Sequence, residues 1–217
     1  GLEPTMMMAE QSALGDGGYE LVPYDLAKEI PMRRQLYDLI NVYDGPLNDL
    51  DKRYNAYSSG WWGAKGYVKE REDQIQKRIY NYFQHHLGEK PRGEDLMWGC
   101  YDKNRAGIAG KGFARQFVVS NARATNDFRS KKHLAYPINW YPHPSINKYL
   151  EKFGCQMETS QFATSTMIQW LLRSRLRNRK PINLYLPSSR MRSLLREWAN
   201  GAGAAPESTA VPIKRAA

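Results

Sequence analysis

The sequence has little cysteine and no long hydrophobic run. Two cysteines, Cys100 and Cys155, occur among 217 residues, too few for a disulfide framework and typical of a protein from a reducing compartment. No apolar run approaches the roughly 20 residues that cross a bilayer. Because residues 1–11 also lack the basic start and apolar stretch of a secretory signal, we expect a soluble intracellular protein with both cysteines buried.

Acidic residues are scarce in the second half of the chain. Residues 1–100 hold 12 Lys and Arg against 16 Asp and Glu, whereas residues 101–200 hold 18 against 5, within a net charge of +10. No acidic residue lies between Glu158 and Glu197, where eight basic residues occur. A surface of this kind repels itself unless a polyanion covers it, so nucleic acid is the first candidate partner.

The sequence also lacks the short signatures of catalysis. The four histidines and two cysteines show no metal-ligand spacing. A nucleophile elbow, a zinc-protease motif, a kinase motif and a dinucleotide-binding glycine motif are all missing. Carboxylates are too few in the basic half for two-metal chemistry. We therefore expect no enzymatic activity, no cofactor and no bound metal.

A glycine-rich stretch at residues 106–115, AGIAGKGFAR, invites comparison with a phosphate-binding loop. That loop requires a glycine five residues before Gly110 and a Ser or Thr after Lys111, but Arg105 and Gly112 occupy those positions. Three interpretations remain open: a site for an isolated phosphate, a turn that approaches RNA or a neighbouring subunit, and a plain loop.

Helical signals dominate the rest of the chain. Residues 64–87 place apolar side chains at a period near 3.6 and end at Gly88, a C-cap position. Ser188 or Ser189 can cap a final helix that ends near residue 200. The other expected helices cover residues 31–43, 46–57, 94–101, 113–128, 145–154 and 159–179.

These signals predict a mainly α fold, a single compact helical domain with little strand. We expect both ends of the chain to be flexible, because their composition cannot bury enough apolar surface to offset ordering. The predicted division is an N-terminal arm at 1–18, a helical core at 19–200 with an acidic half at 19–100 and a basic half at 101–200, and a C-terminal tail at 201–217.

Two of the expected helices combine an apolar face with a cationic one. Arg173, Arg177 and Lys180 fall on one side of the first, and Arg192 and Arg196 lie one turn apart on the second. Arginine suits phosphate because its planar guanidinium forms forked hydrogen bonds and stacks on bases. The alternative is a solvated face without a ligand. The predicted nucleic-acid contacts are Arg173, Arg177, Lys180, Arg192, Arg196, Lys111, Arg115, Arg123, Arg129, Lys131 and Lys132.

Aromatic residues are interleaved with these basic ones. Bases of single-stranded nucleic acid commonly stack on aromatic side chains beside a cationic groove. Most large aromatic residues belong to protein cores, but Tyr136, Trp140 and Tyr141 lie in a proline-rich connector at residues 134–144. These three are the candidates for base stacking.

Together these features predict a non-catalytic structural protein that coats RNA, or other single-stranded nucleic acid, and assembles through its arms as a homo-oligomer. The combination is similar in kind to the helical coat proteins and nucleoproteins of RNA viruses, although no residue motif carries the likeness. A nucleocapsid protein of this class would reside in the virion or in the host cytoplasm.

Three other functions remain open from the sequence. Residues 160–179 and 189–198 could form a variant helix-turn-helix of a sequence-specific DNA-binding regulator or replication factor. The same arginines could hold an anionic membrane, as in a matrix-type protein. The last alternative is an enzyme whose site is assembled from distant residues.

Overall fold

A four-stranded parallel sheet forms the centre of the protein. The computed structural model describes residues 7–11, 19–23, 26–120, 127–154 and 157–201. A separate antiparallel strand pair lies near the start of the chain. The strands are β1 (Met7–Gln11), β2 (Tyr19–Pro23), β3 (Ile40–Val42), β4 (Leu96–Trp98), β5 (His133–Ala135) and β6 (Ile182–Tyr185).

Helices of the described chain cover both faces of this sheet. Four of them begin at side-chain caps. In two of these caps the Glu158 carboxylate accepts from the N–H of Ser160, and the Ser188 hydroxyl accepts from the N–H of Met191. Such caps satisfy N–H groups that a helix start leaves open. The helices are α1 (Ile30–Asp38), α2 (Ser59–Trp62), α3 (Val68–His85), α4 (Arg105–Ile108), α5 (Pro144–Glu151), α6 (Thr159–Leu171) and α7 (Ser189–Ala199).

The core has two layers, one on each face of the sheet. Successive side chains of a strand point to opposite faces. Leu134 and Leu184 therefore join the cluster formed with α6 and α7. Their neighbours Ala135 and Tyr185 join the cluster formed with α2 and α3. A sheet buried on both faces is typical of parallel α/β folds.

The order of the strands creates a crevice at one edge of the sheet. The spatial order is β3, β6, β5, β4, and all three pairs are parallel. The chain leaves β3 toward the face covered by α2 and α3, whereas it leaves β6 into α7 on the other face. Neighbouring strands whose connections leave toward opposite faces mark the place where open α/β sheets bind ligands.

The prediction of a mainly α fold with little strand is wrong. Residues 94–101, expected to be helical, contain the buried strand β4. Residues 113–128, also expected to be helical, contain a short 3-10 turn and an extended segment in which Phe117 pairs with Trp98 of β4. A strand of three buried residues shows neither alternation nor helical period, so periodicity alone did not separate the two structures.

The cationic face predicted for residues 159–179 is absent because α6 ends at Leu171. The N–H of Arg173 bonds to the carbonyl of Trp170, and a separate 3-10 turn covers Arg175–Asn178. The residues of α6 itself include no Lys or Arg. The basic residues of this stretch therefore belong to a turn and a connector rather than to one helix.

Two of the predicted helices agree with the structure. Helix α3 buries Ile75, Ile79 and Phe83 along one face, and α7 begins after the expected Ser188 cap. The N-terminal arm is only partly described, and within it Met7–Gln11 pairs with Tyr19–Pro23 as a strand. The C-terminal tail beyond residue 201 lies outside the described residues. In the described part of the chain, no helix is both long and apolar enough to cross a bilayer.

Candidate functional site

The carboxyl ends of the four parallel strands meet at one edge of the sheet, which we call the carboxyl edge. Ligands of open α/β sheets bind outside this edge. The loop after β3, the connector after β5 and the start of α7 all lie there. Three arginines bring positive charge to this edge: Arg78 from α3, and Arg190 and Arg192 from α7.

Arg190 is the most deeply buried cation of the carboxyl edge. Its side chain lies in the first turn of α7 and the residue is 2% exposed. One guanidinium nitrogen, Nη1, donates to Asn139 Oδ1 and to the carbonyl of Trp140, both at 2.8 Å. The guanidinium also lies 4.4 Å from the ring centroid of Tyr141, a cation–π contact. Arg190 therefore joins α7 to the connector after β5.

Asn139 extends this network to the loop after β3. Its amide nitrogen Nδ2 donates to the carbonyls of Tyr54 and Ala56, each at 2.9 Å. Its backbone N–H donates to the carbonyl of Tyr57 at 3.0 Å. The carboxamide of Asn139 is fully buried, and both its nitrogen and its oxygen are hydrogen-bonded. It therefore holds the connector after β5 in a defined position against the loop after β3.

Arg192 lies half-buried beside the end of β6. Its Nη1 donates to the carbonyls of Leu186 and Pro187 at 2.7 and 2.8 Å. Burial lowers the pKa of this guanidinium from its usual value, and the nearby Asp44 carboxylate opposes that effect. An arginine remains charged after such a shift, so the edge carries a partly desolvated cation.

Arg78 fixes the loop after β3 from the side of α3. Its Nη1 donates to the carbonyls of Pro46 and Leu47 at 3.1 and 2.8 Å. The hydroxyl of Tyr185, at the end of β6, donates to the same Leu47 carbonyl at 2.8 Å. These contacts hold the loop against the β3 and β6 ends.

The three arginines share one property that matters for binding. Each bonds carbonyl oxygens, and none takes part in the salt bridges formed among the described residues. Burying cationic groups without a paired carboxylate is unfavourable. The carboxyl edge is therefore suited to an anion.

The comparison with known families agrees with the α/β fold. Residues 34–199 match the YonV C-terminal Rossmann-like domain family. The chain belongs to this family. It is also similar to the SPbeta prophage-derived protein YonV of Bacillus subtilis (strain 168), with 35% identity over 175 residues, which is 81% of this chain and 40% of that relative. The chain thus spans about two fifths of the relative's length. No solved structure matches the chain.

Membership in the YonV C-terminal family corrects the predicted function. A Rossmann-like α/β domain replaces the helical nucleocapsid or coat protein that charge and composition had indicated. The helix-turn-helix alternative also fails, because the strand β6 lies between α6 and α7. A nucleic-acid partner, a homo-oligomer, the absence of a cofactor and the absence of enzymatic activity stay predictions.

The predicted nucleic-acid contacts are distributed over both edges of the sheet in this member of the YonV C-terminal family. Arg192 lies at the carboxyl edge, and Arg196 is exposed farther along α7. Arg173 follows the end of α6, and Arg123 lies outside the described residues. The remaining exposed contacts are Arg177 and Lys180 before β6, Arg129 before β5, and Lys111 and Arg115 after α4.

Lys131 and Lys132 also differ from the prediction of exposed phosphate contacts. Lys131 is 8% exposed, and its Nζ donates to Gln116 Oε1 at 2.7 Å. Lys132 is half-buried and forms a salt bridge with Glu89, a residue of the acidic half. Both lie just before β5, at the amino edge of the sheet, which is opposite the carboxyl edge.

Of the three base-stacking candidates, Tyr136 is excluded by burial. Its ring is fully buried against Trp170, and its hydroxyl accepts from the indole N–H of Trp140 at 2.6 Å. Trp140 is half-buried between other aromatic rings. Tyr141 is half-buried on the Arg190 guanidinium. The expectation for Tyr136 failed because the proline-rich connector leads directly out of the buried strand β5, and base stacking on Trp140 and Tyr141 stays a prediction.

The glycine-rich stretch serves packing between helices. A Cβ added to Gly107 would lie 1.9 Å from Glu72 Oε2, and one added to Gly110 would lie 2.7 Å from the Phe113 ring. The Glu72 carboxylate accepts from Asn104 Nδ2 at 2.9 Å. These glycines let α4 approach α3 closely, which favours the plain-loop interpretation.

Cys100 is buried, as expected, and burial raises the pKa of its thiol. Cys155 lies outside the described residues. Among the described residues, no group of three or more His, Cys, Asp or Glu side chains could hold a metal ion.

Sequence reasoning missed Arg78, Asn139 and Arg190 as site residues. A usable signal was nevertheless present, because Pro181 to Pro187 reads as an extended segment and Ser188 as a helix cap. A strand followed at once by a capped helix is one half of a βαβ unit, whose functional residues lie in the joining turn.

Proposed function

We propose that this domain binds a phosphorylated small molecule at the carboxyl edge of its parallel sheet. The observation that carries the proposal is the set of Arg78, Arg190 and Arg192, whose guanidiniums bond carbonyl oxygens and form no salt bridge with a described carboxylate. A phosphate group would give these guanidiniums a directly bonded anionic partner, which none of them has among the described residues.

Arg192 is the arginine best placed to contact such a ligand. It is half-buried, whereas Arg190 is almost fully buried. Because its Nη1 is held by two carbonyls, the guanidinium plane is oriented before a ligand arrives. A pre-oriented guanidinium forms forked hydrogen bonds to phosphate with little loss of side-chain entropy.

The start of α7 adds to the attraction for an anion. The first N–H groups of a helix lack intrahelical partners and carry partial positive charge. In α7 the Ser188 hydroxyl accepts a hydrogen bond from one of them, the N–H of Met191. The helix follows β6 directly, so its N-terminus lies at the carboxyl edge, where phosphate groups commonly bind helix termini.

Isothermal titration calorimetry of the full chain with inorganic phosphate and with AMP tests the proposal. We expect binding with a dissociation constant of about 1 mM or tighter for at least one probe. Arg192→Met should weaken that binding about tenfold, because hydrogen bonds to a charged group are lost.

The matched control is Arg196→Met, one turn farther along the same helix and exposed. It changes the net charge by the same amount, and we expect affinity within twofold of the unaltered chain. Equal weakening by both substitutions would indicate a diffuse charge effect and reject the assigned site. The absence of binding to both probes would reject the proposed function.

A further inference from the structure

Three side chains beside the end of β3 have buried polar atoms without a partner among the described residues. The atoms are the hydroxyl oxygens of Tyr43 and Tyr57 and the carboxamide oxygen of Asn48. Nearly all buried polar atoms of folded proteins have a hydrogen-bond partner. A group of such atoms next to a candidate ligand site therefore points to partners that a ligand supplies.

Asn48 presents an acceptor in a fixed direction. Its nitrogen Nδ2 donates to the carbonyl of Tyr43 at 3.0 Å, which leaves the oxygen Oδ1 as the atom without a partner. The preceding residues are held by Arg78 and by the Tyr185 hydroxyl. Because the carboxamide cannot turn without losing its bond to Tyr43, a ligand that bonds Oδ1 has to donate a hydrogen.

Tyr57 presents a neutral hydroxyl to the same region. The residue is fully buried and has a left-handed backbone with a φ of 64°. Arg78, Arg192 and the carboxylates of Asp49 and Asp51 are the charges that act on its hydroxyl. Burial raises its pKa, so the hydroxyl keeps its proton and can donate or accept. A tyrosine rarely adopts a positive φ, and such conformations concentrate at functional sites.

The chemistry of these atoms restricts what lies next to the phosphate. Asn48 Oδ1 requires a donor, which a phosphate oxygen does not offer at neutral pH. A hydroxyl and an ammonium group both donate. The guanidiniums of Arg78 and Arg192 and the carboxylates of Asp51 and Asp49 act on the pKa of the Tyr57 hydroxyl in opposite directions, so these surroundings do not select for a charged donor. Neutral hydroxyl groups fit this environment.

We propose that Asn48 and Tyr57 bind the hydroxyl groups of a sugar, so that the ligand is a sugar phosphate, either free or as part of a nucleotide. This inference rests on the proposed phosphate site and names the part of the ligand that β3 and its loop recognise. Arg192 and the start of α7 hold the phosphate, and the loop after β3 holds the sugar.

Calorimetry with inorganic phosphate, ribose 5-phosphate and AMP tests this assignment. We expect ribose 5-phosphate to bind at least about tenfold more tightly than inorganic phosphate. If AMP binds no more tightly than ribose 5-phosphate, the free sugar phosphate is sufficient. If AMP binds more tightly, the source is a nucleotide. Both results support the sugar contact.

Tyr57→Phe removes only the hydroxyl oxygen, which has no described protein partner. We expect this variant to keep its affinity for inorganic phosphate, whereas its affinity for ribose 5-phosphate should fall about tenfold. Its unfolding temperature should be the same as that of the unaltered chain or higher. The matched control Tyr80→Phe removes the hydroxyl of an exposed tyrosine of α3 and should change none of these values.

The two proposals fail in different ways. If inorganic phosphate, ribose 5-phosphate and AMP all fail to bind the unaltered chain, the phosphate site itself is wrong. The sugar assignment is overturned, while the phosphate site stands, if the unaltered chain binds ribose 5-phosphate no more tightly than inorganic phosphate. The same conclusion follows if Tyr57→Phe still binds ribose 5-phosphate as much more tightly than inorganic phosphate as the unaltered chain does.

Discussion

Lys132 at the amino edge of the parallel sheet and the arginines at its carboxyl edge have different kinds of partner. At the amino edge, Lys132 pairs with Glu89, and the same carboxylate lies 3.6 Å from the Nε2 atom of His133. At the carboxyl edge, Arg190 and Arg192 contact carbonyl oxygens instead. A cation paired within its own chain contributes to the folded structure, whereas a cation without a carboxylate can bind an external anion.

At the amino edge, neutral polar groups form a chain of hydrogen bonds that ends at His133, whose buried Nε2 has no hydrogen-bond partner among the described residues. Asn41 Nδ2 donates to Asn183 Oδ1 at 3.0 Å, and Asn183 Nδ2 lies 2.9 Å from His133 Nδ1. Because the Asn183 oxygen is already an acceptor, its nitrogen donates to Nδ1, and the His133 proton is assigned to Nε2. This chain of bonds links β3, β6 and β5 at the edge that carries no candidate ligand site.

The largest effect is expected from Arg190→Ala at the carboxyl edge. The substitution leaves Asn139 Oδ1 and the Trp140 carbonyl without their donor. Loss of one partner of a buried charged hydrogen-bond network costs about 3 kcal/mol of unfolding free energy. Urea denaturation followed by circular dichroism measures it, with Arg196→Ala as the exposed control on the same helix. A loss of less than about 1 kcal/mol would contradict the assigned network.

A pH-dependent effect is expected at the amino edge. Burial, and next the charge of Lys132, lower the pKa of His133 in the folded chain, while Glu89 and Asp95 oppose this and Arg175 adds to it. In the unfolded chain the imidazole of His133 has a pKa of about 6.5. In the folded chain the imidazole gains its proton only at a lower pH. Stability due to His133 is therefore present above about pH 6.5 and is lost as the pH falls.

His133→Asn tests this expectation because asparagine keeps an acceptor for Asn183 and does not titrate. We expect the unaltered chain to lose more stability than the variant between about pH 7.5 and 5.5. Glu89, whose pKa is lowered first by Lys132, adds a further loss only in more acidic solution. Parallel pH profiles of the two chains would refute the buried, neutral state of His133.

The smallest effect is expected from Lys132→Met, which removes the salt bridge to Glu89. Exposed ion pairs contribute little to stability, and salt screens them. The midpoint of urea unfolding should shift far less than for Arg190→Ala, and the shift should shrink in about 0.5 M salt. A shift as large as that of Arg190→Ala would show that the two edges do not differ as described.

Part of the fold could be predicted from the sequence because its signals are local. The period of Ile75, Ile79 and Phe83 identifies α3, and the Ser188 hydroxyl identifies the start of α7. The strands β4 and β5 could not be recognised, since each is three fully buried residues long. Such short runs carry no period, and only pairing in the sheet defines them as strands.

The candidate site was predictable to a smaller extent. Arg192 was expected to contact the phosphates of nucleic acid, and it lies at the carboxyl edge, where the proposed ligand is a phosphorylated small molecule. Tyr136 and Lys131 were expected on the surface and are buried. Composition counts the cations of a chain without showing which of them have neighbours, and neighbours decide whether a cation is paired, buried or available.

The amino-acid sequence by itself determined the excess of basic residues, the amphipathic period of α3 and the cap of α7, because each depends on residues close together in the chain. Tertiary structure alone decided that Arg78, Arg190 and Arg192 meet at one edge of the sheet while Lys132 is neutralised at the other. Parallel pairing of β3 with β6 unites residues about 140 positions apart, and no local pattern encodes a contact of that range.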